Sequence, residues 1–212
     1  RAFVYTDTEK EYFEPRKLAV YGLLRGWLMN QLRSEERKQA HQAAGDFLQT
    51  EERMDKGESL GLNWGLLLFE NRRQYLLAGN FSQARLLTDK ISRLLEVKGL
   101  FEIILALNKE QFEYDRHPSS MTWIGRSYFE LSDYDRAKEW YQKGLDSANE
   151  DPDERATALQ GLASIEMAKE NFEEAENMEF DALKIIKATS NEENEATIWF
   201  QLGAIQLNNK TE

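Results

Sequence analysis

Apolar residues recur at helical spacing along nearly the whole chain. They predict helices near 15–33, 35–49, 58–78, 81–96, 100–114, 119–131, 134–148, 152–169, 172–188 and 192–208. Ahead of them, Phe3-Val4-Tyr5 and Tyr12-Phe13 flank Thr6–Glu11 in the pattern of a short β-hairpin. Start signals agree with the periodicity. Asp151-Pro152-Asp153-Glu154 sets a capping carboxylate before a proline at the first helical position. Asn80…Gln83, Asn171…Glu174 and Ser190…Glu193 repeat that logic. The expected class is all-α, with a small hairpin and helical segment at the N-terminus.

Four turns look alike: Gly79-Asn80-Phe81, Gly99-Leu100-Phe101, Ser132-Asp133-Tyr134 and Glu170-Asn171-Phe172. In three of them an Ala follows the aromatic by three positions (Ala84, Ala137, Ala175), where a small side chain lets two helix axes approach. Aligning Tyr134 on Phe172 carries Ile124-Gly125 onto Leu162-Ala163 and Gly144-Leu145 onto Ala182-Leu183. The next step carries Leu162-Ala163 onto Leu202-Gly203. Self-similarity at this period is the signature of stacked helix pairs. Matching Phe81 and Tyr75 to Tyr134 and Tyr128 leaves an excess in the spacing. It is read as one inserted helix between 81–96 and 119–131.

Met121, Ile124-Gly125, Tyr128, Leu131, Tyr134, Ala137, Tyr141 and Gly144 resemble the tetratricopeptide repeat pattern, and the resemblance covers about residues 60–212. The second full repeat departs from it, with Glu166 and Glu179 where aromatics are usual. The resemblance implies a right-handed α-α superhelix whose first helices line a concave groove for a protein or peptide partner. The groove positions would be Leu66, Phe69, Arg73 and Leu76, then Ser119, Thr122, Arg126 and Phe129. Thr157, Gln160, Ser164 and Met167 would follow, then Thr197, Phe200 and Ala204. The binding set is therefore expected to be Phe69, Arg73, Thr122, Arg126, Phe129, Gln160, Ser164, Met167 and Phe200. The family's clamp for a C-terminal carboxylate needs Lys and Asn, where this chain has Thr122, Arg126, Gly161, Thr197 and Gln201.

The first part of the chain, with its hairpin, helix and Glu35-Glu36-Arg37…His41…Ala43-Ala44 order, is similar to signalling ATPases of the STAND class. There a winged-helix module joins the ATPase core to a helical-repeat sensor. Residues 1–50 would be the end of that module or a helical linker, and 51–212 the repeat domain. The open start at Arg1 and the end just after a helical pattern are expected of a fragment of a longer protein.

Charge changes this picture in one respect. The net −11 is concentrated in residues 150–212, with 5 Lys and Arg against 15 Asp and Glu. Phosphate neutralisation needs clustered cations, so a nucleic-acid partner is not expected. With no Cys, thiol catalysis and thiolate metal sites are excluded, and a reducing, cytoplasmic setting is expected. No apolar run approaches the roughly 18 residues of a membrane span. His41 and His117 lack ligand-spaced partners, and no Gly-rich loop precedes a Lys-Ser or Lys-Thr pair. The acidic pairs sit in first turns or linkers, where carboxylates favour the helix dipole. The reading is a non-enzymatic binding module without cofactor, with self-association left open.

Overall fold

The computed structural model describes residues 31–54, 62–148, 151–189 and 191–209. Among these, nine helices follow one another: α1 (Ser34–Met54), α2 (Leu62–Ala78), α3 (Phe81–Glu96), α4 (Phe101–Tyr114), α5 (Pro118–Glu130), α6 (Tyr134–Ser147), α7 (Pro152–Ala168), α8 (Phe172–Lys187) and α9 (Glu192–Asn209). No strand occurs among the described residues. The expected hairpin, and most of the helix expected at 15–33, lie outside them. α1 runs unbroken through residues 50–51, where the sequence suggested a boundary between two units.

Each helix packs on the next. Contacts that skip one helix join α3 to α5, α5 to α7 and α7 to α9, so these alternate helices form one row. α2, α4, α6 and α8 belong to the other. Buried Arg72 shows this for α2: its guanidinium spans Thr88 Oγ1 on α3 (2.6 Å) and both Glu110 Oε2 (2.8 Å) and the Leu107 carbonyl (3.3 Å) on α4. The sequence register, which makes 62–78 a first helix and invokes an insertion, is corrected here. No helix is inserted. Shifting by 33 residues carries Thr88, Ile91, Ser92, Phe101, Ile104, Asn108 and Gln111 onto Met121, Ile124, Gly125, Tyr134, Ala137, Tyr141 and Gly144. Apart from the two half-buried turn aromatics, all of these are buried.

Two glycine–tyrosine contacts fix the same pairing. A Cβ on Gly45 of α1 would come within 2.8 Å of the Tyr75 ring on α2. One on Gly125 of α5 would come within 2.9 Å of Tyr141 on α6. Tyr141 is also covered from α7, where any side chain on Gly161 would run into its ring. It stands in a core with Ile124, Tyr128, Ala137, Leu162 and Ile165. In the α3–α4 pair the glycine and tyrosine are replaced by Ser92 and Asn108, joined by a 2.8 Å hydrogen bond from Asn108 Nδ2 to Ser92 Oγ. A buried polar pair thus fills the place of a ring on a glycine.

The four similar turns share one backbone device. Gly79, Gly99, Ser132 and Glu170 all take positive φ, between 61° and 78°. In each, the following residue donates back to the carbonyl five residues earlier. Asn80 bonds to Tyr75 (2.9 Å), Leu100 to Leu95 (3.1 Å), Asp133 to Tyr128 (2.9 Å) and Asn171 to Glu166 (2.9 Å). This is the left-handed helix stop in which a residue without a Cβ is least strained. Ser132 and Glu170 adopt it with a Cβ. Replacing either by Gly is expected to stabilise the chain by about 0.5–1 kcal/mol, relief of strain exceeding the added freedom of the unfolded chain. Thermal melts would check this; a lowered Tm in both variants would contradict it.

Candidate functional site

The row formed by α3, α5, α7 and α9 carries polar and apolar side chains side by side. Its register places Leu86, Asp89, Arg93 and Glu96 on α3 beside Ser119, Thr122, Arg126 and Phe129 on α5. Arg126 Nη2 lies 2.5 Å from Glu96 Oε1, and its guanidinium sits 5.8 Å from the centre of the Trp123 ring. Half of the Arg126 side chain remains exposed.

Beside this pair on α3, Asp89 is held by Arg85 at 3.6 Å. Burial nevertheless pushes its carboxyl up to about 6. Glu154 at the start of α7 accepts from Thr122 Oγ1 at 3.3 Å. Burial, with the Asp89 and Asp151 charges, pushes Glu154 up to about 7. The Asp89 carboxylate thus adds to the burial that disfavours a charge on Glu154. Arg85 is shared, its Nε standing 3.3 Å from Asp115 Oδ2. An ion pair thus joins α3 to α5, and a hydroxyl-to-carboxyl hydrogen bond joins α5 to α7.

The expected binding residues divide into three groups. Arg126 and Phe200 lie open on the row, Phe200 being 79% exposed. Thr122, Phe129, Gln160, Ser164 and Met167 are engaged inside the fold. Thr122 donates to the Ser119 carbonyl and to Glu154. Gln160 Nε2 donates to Gln201 Oε1 at 3.2 Å, and Ser164 Oγ to the Gln160 carbonyl. Phe129 packs on Tyr134, and Met167 on the Ala163–Ala175–Ile205 cluster. Phe69 and Arg73 form the third group. Both stand on α2, outside the row, and Arg73 pairs locally with Glu70 at 3.4 Å. Arg73 and Arg126 are therefore not brought together.

Asp89, Arg93, Glu96 and Trp123 escaped the sequence reading, and Glu154 was read only as part of a helix start. The 33-residue shift was the signal that could have found the α3 members. The two histidines are structural: His41 Nδ1 lies 2.7 Å from Gln74 Oε1 on α2, and His117 Nδ1 accepts from the Ser119 amide as the cap of α5. No three His, Asp or Glu side chains are gathered as a metal set among the described residues. No helix among them is long and apolar enough to cross a membrane.

Comparison with known proteins bears on the pairing directly. Residues 118–151 match the tetratricopeptide repeat model, and they span α5, α6 and the approach to α7. The match supports the tetratricopeptide family for this chain. Such repeats are typically non-catalytic modules that mediate protein–protein interaction. No curated protein matches the sequence. Among solved structures, the crystal structure of BtubC (BKLC) from P. vanneervenii is similar at 10% identity and a TM-score of 0.41. It covers 85% of this chain and 94% of that one. A likeness so loose carries no functional argument.

Proposed function

We propose that the chain is a protein-interaction module that holds an extended peptide segment of its partner along the face of α3, α5, α7 and α9. The observation that carries this reading is the half-exposed Arg126, anchored between Glu96 and Trp123 on the row that also holds the half-buried carboxyls Asp89 and Glu154. A guanidinium fixed at one side by a carboxylate and at the other by a ring is pre-set to take a second carboxylate from a partner. Leu86 on α3 and Phe200 on α9 are exposed apolar side chains farther along the same row. A groove of few polar anchors among apolar side chains suits a peptide better than a flat protein face.

Peptides selected by display against the full chain would test this. Arg126→Ala and Trp123→Ala are expected to weaken selected peptides by tenfold or more, about 1.4 kcal/mol. Arg73→Ala should change affinity less than twofold. Charge reversal at Glu173 and Glu174, on α8, is the outer-surface control. Peptides that respond to Arg73 or to that reversal, and not to Arg126, would move the site to the other row.

At the level of the whole protein, we infer a sensor or scaffold region of a larger STAND-class ATPase, an inference that rests on the residue order in positions 1–50. A freestanding adaptor is the other assignment of the same module. A phosphate-binding loop encoded upstream of Arg1 in the gene decides for the ATPase, and its absence decides against it.

A further inference from the structure

Tyr128, near the end of α5, is 5% exposed, and two cations from the other row meet at its hydroxyl. Lys109 Nζ of α4 donates to that oxygen at 2.7 Å, and Arg136 Nη1 of α6 at 3.5 Å. The same cations flank the ring, 5.0 Å and 4.7 Å from its centre. The negative face of a ring attracts cations, but it does not explain why both heads converge on one oxygen. Arg136 is partly neutralised by Asp133, 2.5 Å away. Lys109 meets no carboxylate among the described residues, and the phenol passes its own proton to no acceptor among them. Lys109 first, then Arg136, holds the phenol below its usual range, against the effect of burial. Two cations on one neutral oxygen stand out in a chain of net charge −11.

One repeat on, the chain displays what such a cluster suits. Glu166 of α7 stands in the register of Tyr128, as Asn171 stands in that of Asp133. Glu166 is equally buried, and a lysine of the preceding helix reaches it too. Lys138 Nζ of α6 lies 2.9 Å from its Oε1. Lys169 Nζ stands 3.8 Å from the same oxygen, and Asn171 Nδ2 donates to Oε2 at 2.8 Å. There the anion belongs to the chain. In α5 a phenol holds that place, and the anion has to come from outside. We propose that Lys109, Arg136 and the Tyr128 hydroxyl form a binding site for one oxyanion, a carboxylate or a phosphoryl group, where α4 meets the α5–α6 turn.

The chemistry fits the ligand at each group. The ammonium and the guanidinium give charge-assisted bonds, and the phenol adds a neutral donor. Lys109 and Arg136 stand on the row opposite the peptide face, and neither is among the groove positions. The two sites can therefore fail separately.

The test uses the full chain carrying carbon-13 at the hydroxyl-bearing ring carbon of tyrosine. Loss of one resonance in Tyr128→Phe assigns the signal. At neutral pH and constant ionic strength, exchanging chloride for inorganic phosphate or for acetate should shift that signal saturably. Tighter saturation by phosphate assigns the site to a phosphoryl group, and tighter saturation by acetate to a carboxylate. Lys109→Gln and Arg136→Gln should each weaken the response by about fivefold or more with helicity unchanged, as loss of one exposed charged contact requires. Arg126→Gln should leave it unchanged. A shift that never saturates, or one that persists undiminished in Lys109→Gln, would overturn the proposal.

Discussion

Tyr141→Ala is expected to cost about 3–5 kcal/mol, the largest single loss in the fold, because a fully packed aromatic is removed from between two helices of one row. Gly161→Ala attacks the same contact from the other side. A methyl group there has no room beside the ring, and the backbone of α7 must shift. The expected loss is about 1–3 kcal/mol, even though Ala favours helix over Gly by about 1 kcal/mol. Gly203→Ala is the internal control. It meets nothing, so only the propensity gain of about 1 kcal/mol is expected. Urea titrations of the three variants would measure this. Equal responses from Gly161→Ala and Gly203→Ala would show that Tyr141 does not sit on α7.

Stability should also fall as pH rises from about 5 to about 8. Glu179 on α8 occupies the register of Tyr141, one repeat on. It is fully buried, and both of its carboxyl oxygens lack a hydrogen-bond partner. Burial alone pushes its carboxyl up to about 8. The sign follows from which state holds the proton. The unfolded chain loses it near pH 4.3 while the folded chain keeps it, so the contribution is fully present below that value. It is lost as pH climbs toward 8. Glu154 and Asp89, raised to about 7 and about 6, act in the same direction. Glu179→Met, a non-ionising side chain of similar length, is therefore expected to stabilise by about 2–4 kcal/mol at pH 8 and to flatten the decline. A Tm of the native chain that rises between pH 5 and 8 would contradict this. Glu166 is the contrasting case: it is equally buried, but it accepts from Lys138 Nζ (2.9 Å) and Asn171 Nδ2 (2.8 Å), which hold its carboxyl below the usual range.

The helix spans were legible because periodicity and caps are local. The stretches 81–96 and 134–148 come out of apolar spacing, and Asn80 and Asp151 cap as their sequences suggest, while Asn171 starts its helix without a side-chain cap bond. Row membership was not legible. Gly79-Asn80-Phe81 has the same residues and backbone as the turns inside pairs, yet it joins one pair to the next. A local motif cannot report which side of a stack it lies on. The α3–α4 pair was equally hidden, because its core contact is a hydrogen bond between Ser92 and Asn108 where an aromatic was sought. For the site, Arg126 was readable from repeat spacing. Asp89 and Trp123 became visible only once α3 and α5 lay side by side.

The unlike contacts between successive helices have a consequence for assembly. Stacked repeats with interchangeable cores can pair with the wrong neighbour, within a chain or between chains during synthesis. Here Tyr141 needs glycines, Asn108 needs a hydroxyl, and Glu179 tolerates only a site where it keeps its proton. A tyrosine ring pushed against Ser92, or Asn108 left facing Gly125, would clash or strand a buried amide. Each helix thus carries a key that fits its own mate, and the chain enforces its order of stacking by penalising every other one.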